Sequence, residues 1–339
     1  MQYHYGHPES IHSTKDNLNT MATMTLAICA RNAQDIIGTC LESIQQQTVA
    51  PDIILVAVDE MSDPTVAVAE SYGAQVIASN ATGLYEARNA VLDVCTTDYL
   101  AFTDADCVLV PEWVQYAKQV LDERDEIAAG TGRHPPIGVK NLAAWLHHMW
   151  YVVETQETGE TDGIIGGNSY FRTSALKEVG GWLNMPRHSA AEDMYIAGAL
   201  KEAGHGIWFQ EECAAQHNYE TSLKGLWKKS VMMGKDIVVM MRCAGWRGKL
   251  WYFTLMIPMV LLLFILGIAL LPWCLYAGGG LSGAMLLGSF VYFTLKFHNP
   301  FTAFPRWIAR WVLIWPYTWG ILKGLRSPLP ESAILSKKD

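Results

Sequence analysis

From Thr25 onward, short apolar runs alternate with stretches in which apolar residues recur every three or four positions. The runs Thr25–Cys29, Ile53–Val58, Gln75–Ala78, Tyr99–Thr103 and Ile127–Gly130 read as strands. Between them the helical period predicts helices over 33–47, 65–72, 84–95 and 112–122, with Pro111 suited to open the last. Strand and helix in alternation predict βαβ units, and so an α/β fold with a mostly parallel central sheet. Right-handed crossovers line up the loops after the strands along one edge, where open α/β sheets hold ligands. Residues 163–217 are less regular. They read as a strand at Gly166–Arg172, a short helix, a loop over Gly180–Ala190, a helix over 192–203 ended by Gly204, and a short strand at Trp208-Phe209.

The pattern changes after residue 220. Residues 223–243 interleave Lys with Leu, Trp, Val and Met, as in an amphipathic helix lying in a membrane interface or docked on the domain. Trp251–Leu271 is an uncharged run of 21 residues, long enough for a hydrocarbon core of ~30 Å. A second uncharged run, Leu275–Leu295, carries Gly278–Gly280, Gly283 and Gly288, small residues that let helices approach closely. Arg242, Arg247 and Lys249 precede the first run, Lys296, Arg306 and Arg310 follow the second, and the connection is uncharged. By the positive-inside rule both ends, and with them the large domain, face the cytoplasm of an integral membrane protein. The segment 307–322 is shorter, roughly 24 Å as a helix. With four Trp, Pro316 and basic residues at its ends, it reads as an in-plane or re-entrant helix. The expected division is a polar, disordered tail (1–23), an α/β domain (24–219), basic amphipathic helices (220–249), a membrane region (250–326) and a polar tail (327–339).

Composition sharpens this division. Charged residues make up 17% of the 339, below the roughly 25% of an average soluble protein. The formal net charge is −8, yet residues 220–339 hold 14 Lys and Arg against 4 Asp and Glu, so the acidic excess lies wholly in the front part. An acidic front domain argues against a nucleic-acid partner, which needs phosphate-neutralising cations. A basic, apolar C-terminal part suits the anionic cytoplasmic face of a membrane. The 7 cysteines (29, 40, 95, 107, 213, 243 and 274) include no C-x-x-C pair and read as reduced, mostly buried thiols. Residues 1–22 are polar and lack the apolar core of a signal peptide; His4, His7 and His12 there belong to the tail.

The chemistry starts at Asp104-Ala105-Asp106, directly after the strand Tyr99–Thr103. Two carboxylates one residue apart at a sheet edge can jointly hold a hard divalent cation, Mn²⁺ or Mg²⁺, together with phosphate oxygens. Such a pair can equally cap a following helix. His147 and His148, beside Trp145 and Trp150, read as a packed or interfacial helix rather than a metal site, and the methionines of 232–241 as core or membrane contact.

Several motifs in order resemble the family 2 glycosyltransferases of GT-A fold, from about Thr25 to His217. Thr25–Gln47 is similar to that family's opening strand and helix, with Arg31-Asn32 where an aromatic and Asn are common. Val58-Asp59-Glu60-Met61-Ser62-Asp63 resembles its V-D-D-G-S-x-D nucleotide-base loop, with Glu60 for Asp, Met61 for Gly and one residue fewer. Gly83–Asn89 matches G-x-x-x-A-R-N, and Asp104-Ala105-Asp106 the metal-binding D-x-D. Gly166-Gly167-Asn168 with Phe171-Arg172, and Gly180-Gly181-Trp182, resemble acceptor-side segments, while Glu192-Asp193 matches the E-D motif whose Asp is the base of inverting members. The resemblance implies donor-binding roles for Asp59, Glu60, Arg88 and Asp104. It implies acceptor-side roles for Gly167, Asn168, Trp182 and Glu192, metal ligation by Asp106, Asp104 and His217, and catalysis by Asp193.

The residues themselves leave alternatives beside each role. Glu192 and Asp193 would favour a helix N-terminus through its dipole in any case. Asp59 could be a plain strand-end residue, Arg88 could bind phosphate or pair with an Asp such as Asp59, and His217, after a polar turn at Ala214–Gln216, could be structural. The expected activity is transfer of a sugar from a nucleotide-diphosphate sugar, UDP- or GDP-linked, to a lipid or lipid-linked acceptor. A processive polysaccharide synthase is the rival enzyme, though both Arg-Trp pairs, Arg306-Trp307 and Arg310-Trp311, lack the Q-x-x that precedes them in that class. A nucleotide-sugar-binding scaffold without activity is the rival from another class.

Overall fold

The computed structural model describes residues 22–150, 156–245, 291 and 300–330. The apolar runs form β1 (Met24–Ala30), β2 (Ile53–Val58), β3 (Gln75–Ala78), β4 (Tyr99–Thr103) and β6 (Ile127–Gly132). The amphipathic stretches form α1 (Ile37–Gln45), α2 (Thr65–Ser71), α3 (Leu84–Val94) and α4 (Trp113–Glu123). The second block adds β8 (Asn168–Arg172), α6 (Thr173–Glu178), α7 (Glu192–Glu202) and β9 (Gly206–Gln210). Further elements are β5 (Cys107–Leu109), α5 (Leu142–Trp150), β7 (Gly159–Glu160), β10 (Ala215–His217), α8 (Leu223–Ala244) and α9 (Pro300–Arg326).

Eight strands form one sheet in the order β3-β2-β1-β4-β8-β6-β9-β7. β3, β2, β1 and β4 run parallel, β8 is antiparallel to both β4 and β6, and β9 runs parallel to β6. Chain order reverses around β1, the switch point at which open sheets leave a crevice beyond the strand ends. Alternate residues of β1 enter opposite cores: Ala27 joins α3, α6 and α7, while Leu26 and Ile28 join α1 and α4.

Two short-range expectations are corrected, and one of two alternatives is found. Ala214–Gln216 is not a plain polar turn: Ala215–His217 is a strand, paired antiparallel with Cys107–Leu109. Two three-residue strands are too short for an alternation pattern to stand out. Of the two readings of 223–243, the docked one holds: it is one 22-residue helix whose C-terminal third, Ile237–Cys243, packs into the domain core. The segment 307–322 lies within a longer helix of 27 residues, α9, which packs along α8 and meets α5. Glycines make the α8–α9 crossing close: a Cβ at Gly234 would overlap the Tyr317 carbonyl oxygen, and one at Gly320 that of Val231. No helix among the described residues is long and apolar enough to cross a membrane. The run 251–271 and, apart from residue 291, the run 275–295 lie outside the described residues, as do residues 1–21 and 331–339.

Gly130 of β6 faces Tyr170 of β8, and a Cβ there would enter the buried Tyr170 ring, which Trp113 meets edge-on at 5.8 Å. Gly130→Ala should therefore cost about 1–3 kcal/mol through overpacking. The measurement is the thermal midpoint; an unchanged value would mean that the ring has room to move.

Candidate active site

The loops after β1, β2 and β4 open onto a cleft of about 520 Å³, closed on the other side by α7, β10, α8 and α9. Asp59, Asp104, Asp106, Gly167, Glu192, Asp193 and His217 all line it.

Two antiparallel registers bring the acidic group together. In β4–β8 the pair Thr103↔Asn168 sets Gly167 against Asp104, so tightly that a Cβ at Gly167 would overlap its carboxylate. In β5–β10 the pair His217↔Cys107 sets the His217 imidazole beside Asp106, Nε2 to Oδ2 3.4 Å. Asp104, Asp106, Cys107 and His217 each offer a ligand atom, all within 4.8 Å of one another. Burial raises the Asp106 carboxyl, with the His217 charge opposing and that of Asp104 adding, while burial lowers His217 against the pull of both carboxylates. The buried His217 Nδ1 has no hydrogen-bond partner among the described residues. Two carboxylates and a neutral imidazole are a donor set that fits a hard divalent cation. The Cys107 thiol is pushed well up by burial and then by those carboxylates, so it stays protonated.

The G-x-x-x-A-R-N and E-D motifs meet beneath this group. Arg88 is 2% exposed; its guanidinium lies 3.4 Å from the Glu192 carboxylate, over the rings of Phe102 at 4.9 Å and Trp182 at 5.6 Å. The neighbouring Asn89 donates to the Trp182 carbonyl at 2.7 Å and accepts from its N–H at 2.8 Å. Gly181 lies in the left-handed region at φ 67°, and a Cβ there would stand 2.6 Å from the Asn89 oxygen. A Cβ at Gly166 would collide with Glu192, so the chain can cross the buried pair only without a side chain. Burial pushes the Glu192 carboxyl up to about 8, with the Asp193 charge adding and Arg88 opposing. Asp193 faces the cleft from the first turn of α7, and burial raises its carboxyl too, against the Met194 backbone N–H and the Arg88 charge.

Several sequence-assigned positions lie elsewhere. Arg88 does not line the cleft and does not pair with Asp59; it sits behind the wall, where a long side chain stacked on two rings buries well. Arg31 pairs with Asp59 instead, and Asp63 accepts from the Asn32 and Thr65 backbone N–H groups at 2.8 Å each. Glu60 is exposed and bonded to Ser62, off the cleft. Asn168 is fully buried in a structural role: it accepts from Trp113 Nε1 and donates to the carbonyls of Arg133 and Cys213. Trp182 is a core residue packed on Phe102 and Phe171. Glu192 lines the cleft yet is itself buried, held to Arg88.

The cleft also contains Arg31, His134, His147, Ser189 and Lys229, which no motif singled out as site residues. His134 and His147 stack around His217 and Tyr219, and burial keeps both neutral; the Glu220 N–H donates to His147 Nδ1 at 2.9 Å. The richness in histidine between 134 and 217 was the available signal; their convergence is tertiary.

Strand order and crevice define the class: an α/β fold of the GT-A type with a mostly parallel central sheet. The model of the family described as Glycosyl transferase family 2 matches residues 25–180. The O-antigen chain rhamnosyltransferase RfbN of Salmonella typhimurium is 28% identical over 216 residues, 58% of this chain and 66% of that protein. The putative glycosyltransferase EpsH of Bacillus subtilis is 30% identical over 111 residues, 30% of this chain and 31% of that one. The chain thus spans less than two thirds of the length of either relative. Among solved structures, the mannosyltransferase PcManGT of Pyrobaculum calidifontis, in complex with GDP-Man and Mn²⁺, superposes with a TM-score of 0.55 at 16% identity, over 85% of this chain and 86% of that one. GalNAc-T7 with UDP, GalNAc and Mn²⁺ gives 0.51 at 14% identity, over 66% and 48%.

Arg88→Leu would remove the stack on Phe102 and Trp182 and leave the buried Glu192 carboxyl without its partner, at about 1–3 kcal/mol. The expected result is a large fall in the denaturant midpoint, with Arg88→Lys between the two because a lysine cannot stack on both rings. Equal midpoints for all three proteins would mean that the pair carries no stability.

Proposed function

We propose that the protein transfers a sugar from a nucleotide-diphosphate sugar to a lipid or lipid-linked acceptor, with inversion, at the cytoplasmic face of a membrane. The observation that carries this is one cleft holding Asp104, Asp106 and His217 on one wall and Asp193 on another. The donor base and ribose would meet Asp59, at the end of β2. Asp104, Asp106 and His217 would hold Mn²⁺ or Mg²⁺, which when bound neutralises charge on the departing diphosphate. Lys229 of α8 adds an exposed cation to the cleft lining. Asp193 takes the proton of the acceptor hydroxyl as that oxygen attacks the anomeric carbon, and holds it on its carboxylate while the sugar–phosphate bond breaks. The solved neighbours with GDP-Man or UDP and Mn²⁺ support this choice of donor class and cation.

The acceptor and membrane parts rest on the C-terminal helices. α8 and α9 expose Leu223, Trp227, Trp315, Trp319 and Leu322, while Lys224, Lys228, Lys323 and Arg326 are also exposed on them. Aromatic and basic residues in this mixture suit a headgroup layer, and the uncharged runs 251–271 and 275–295 suit the hydrocarbon beyond it. The basic residues that flank these runs support a cytoplasmic position for the catalytic domain.

Membranes holding the protein, incubated with a panel of radiolabelled nucleotide sugars and extracted with organic solvent, should carry label into the lipid phase from one donor. Chelator or Asp106→Ala should remove it. Label that stays wholly in water-soluble product would exclude a lipid acceptor.

Asp193→Asn should leave donor affinity within a few-fold and lower turnover by about 10² or more. A base works only when ionised, and the Asp193 carboxyl is raised. Turnover should therefore fall as pH drops through a midpoint above the usual carboxylate range, which a pH profile of kcat reads directly. An acid limb at an ordinary carboxylate value would place the base elsewhere.

A further inference from the structure

We infer that Asp236, on the buried side of α8, is a positioning residue for the reaction: it holds the backbone turn that presents Asp193 to the acceptor. The inference rests on the reading of Asp193 as the base.

In sequence α8 is basic and apolar, and Asp236 is its one acid. The carboxylate is 2% exposed and fully engaged. One oxygen lies 2.7 Å from His188 Nδ1; the other accepts from the backbone N–H groups of Ser189 at 3.1 Å and Ala190 at 3.2 Å. These residues lead directly into Ala191, Glu192 and Asp193.

The turn needs such a hold. Arg187 and Ala191 both lie in the left-handed region, at φ 63° and 66°, a conformation that costs a residue with a Cβ about 1–2 kcal/mol and persists only where the surroundings enforce it. Ala191 starts α7 with no side-chain cap. The other ties come from α3 and the loop before it. The Leu84 N–H donates to the His188 carbonyl at 3.0 Å, the Tyr85 hydroxyl to the Ala190 carbonyl at 3.0 Å, and the Arg187 N–H to Thr82 Oγ1 at 3.1 Å. A Cβ at Gly83 would overlap the His188 backbone, so the turn lies flat on the start of α3. On this side the turn is fixed by the donor-binding domain, and on the other by α8 through Asp236.

Ser189, Ala190 and Ala191 line the cleft together with Asp193, whereas Asp59, Asp104 and Asp106 stand after β2 and β4, and the hydrogen bonds of Asp236 run to His188, Ser189 and Ala190. Loss of the carboxylate should loosen the acceptor side and leave donor binding alone.

Asp236→Ala and Asp236→Asn test this. Asn keeps the volume and one acceptor oxygen, and retains the fold if the Ala variant does not. Donor affinity by calorimetry should stay within a few-fold of the parent for Asn. Transfer should fall about 10²-fold for Ala, the scale of a small misplacement of reacting groups, and less for Asn, with acceptor KM raised in both. Amide exchange at Ser189 and Ala190 should accelerate in the same order. Transfer unchanged in both variants, donor affinity lost in parallel with transfer, or amide exchange in Asp236→Ala as slow as in the parent would each overturn the positioning role. Absence of transfer in the parent protein itself would instead overturn the reading of Asp193.

Discussion

The buried pair of Arg88 and Glu192 is the contact around which the site is assembled. A guanidinium removed from water is held by the Glu192 carboxyl and by the two rings it stacks on, so the segments that carry these groups have little freedom to separate. Arg88 brings α3, and through its stacking the rings of Phe102 on β4 and Trp182. Glu192 brings α7, and Asp193 follows on the next residue. Gly166 crosses between them because nothing larger fits. A motif that resembles a phosphate contact and a motif that resembles an acceptor contact are therefore two halves of one buried joint.

Above that joint, strand pairing performs the chemistry's placement. Asp104 and Asp106 arrive in the turn after β4, and His217 arrives more than a hundred residues later on a three-residue strand. The register Cys107↔His217 allows no slip, since a one-residue shift would turn the imidazole to the opposite face. Burial holds the surrounding imidazoles neutral beside the two carboxylates.

The helix α8 links this centre to the C-terminal part of the chain. One side of it exposes Leu223, Trp227 and lysines; another enters the core with Ile237–Cys243; a third contributes Lys229 to the cleft. Asp236 draws the same helix to the turn before α7. The close glycine contacts with α9 set its axis, so the exposed side of α8 is continuous with the wall of the site.

The hydrophobic period alone located the five leading strands and the helices between them within a few residues, because strands buried on both faces and helices buried on one leave a pattern in the order of residues. Asp104-Ala105-Asp106 and Asp193 were legible for a related reason: acidic residues beside a strand end or a helix start stand out locally. Partners were not legible. Arg88 turns from the cleft to Glu192, Asp59 meets Arg31, and Asn168 and Trp182 serve the interior, because pairing depends on which distant segments a register brings together. Asp236, a lone acid in a basic helix, carried a sequence signal without a meaning until the fold set three donors around it. Local order in the chain determined the elements and the charged residues at their ends. Only the tertiary structure decided which charges face the cleft and which are buried against one another, since burial and register are properties of the packed sheet.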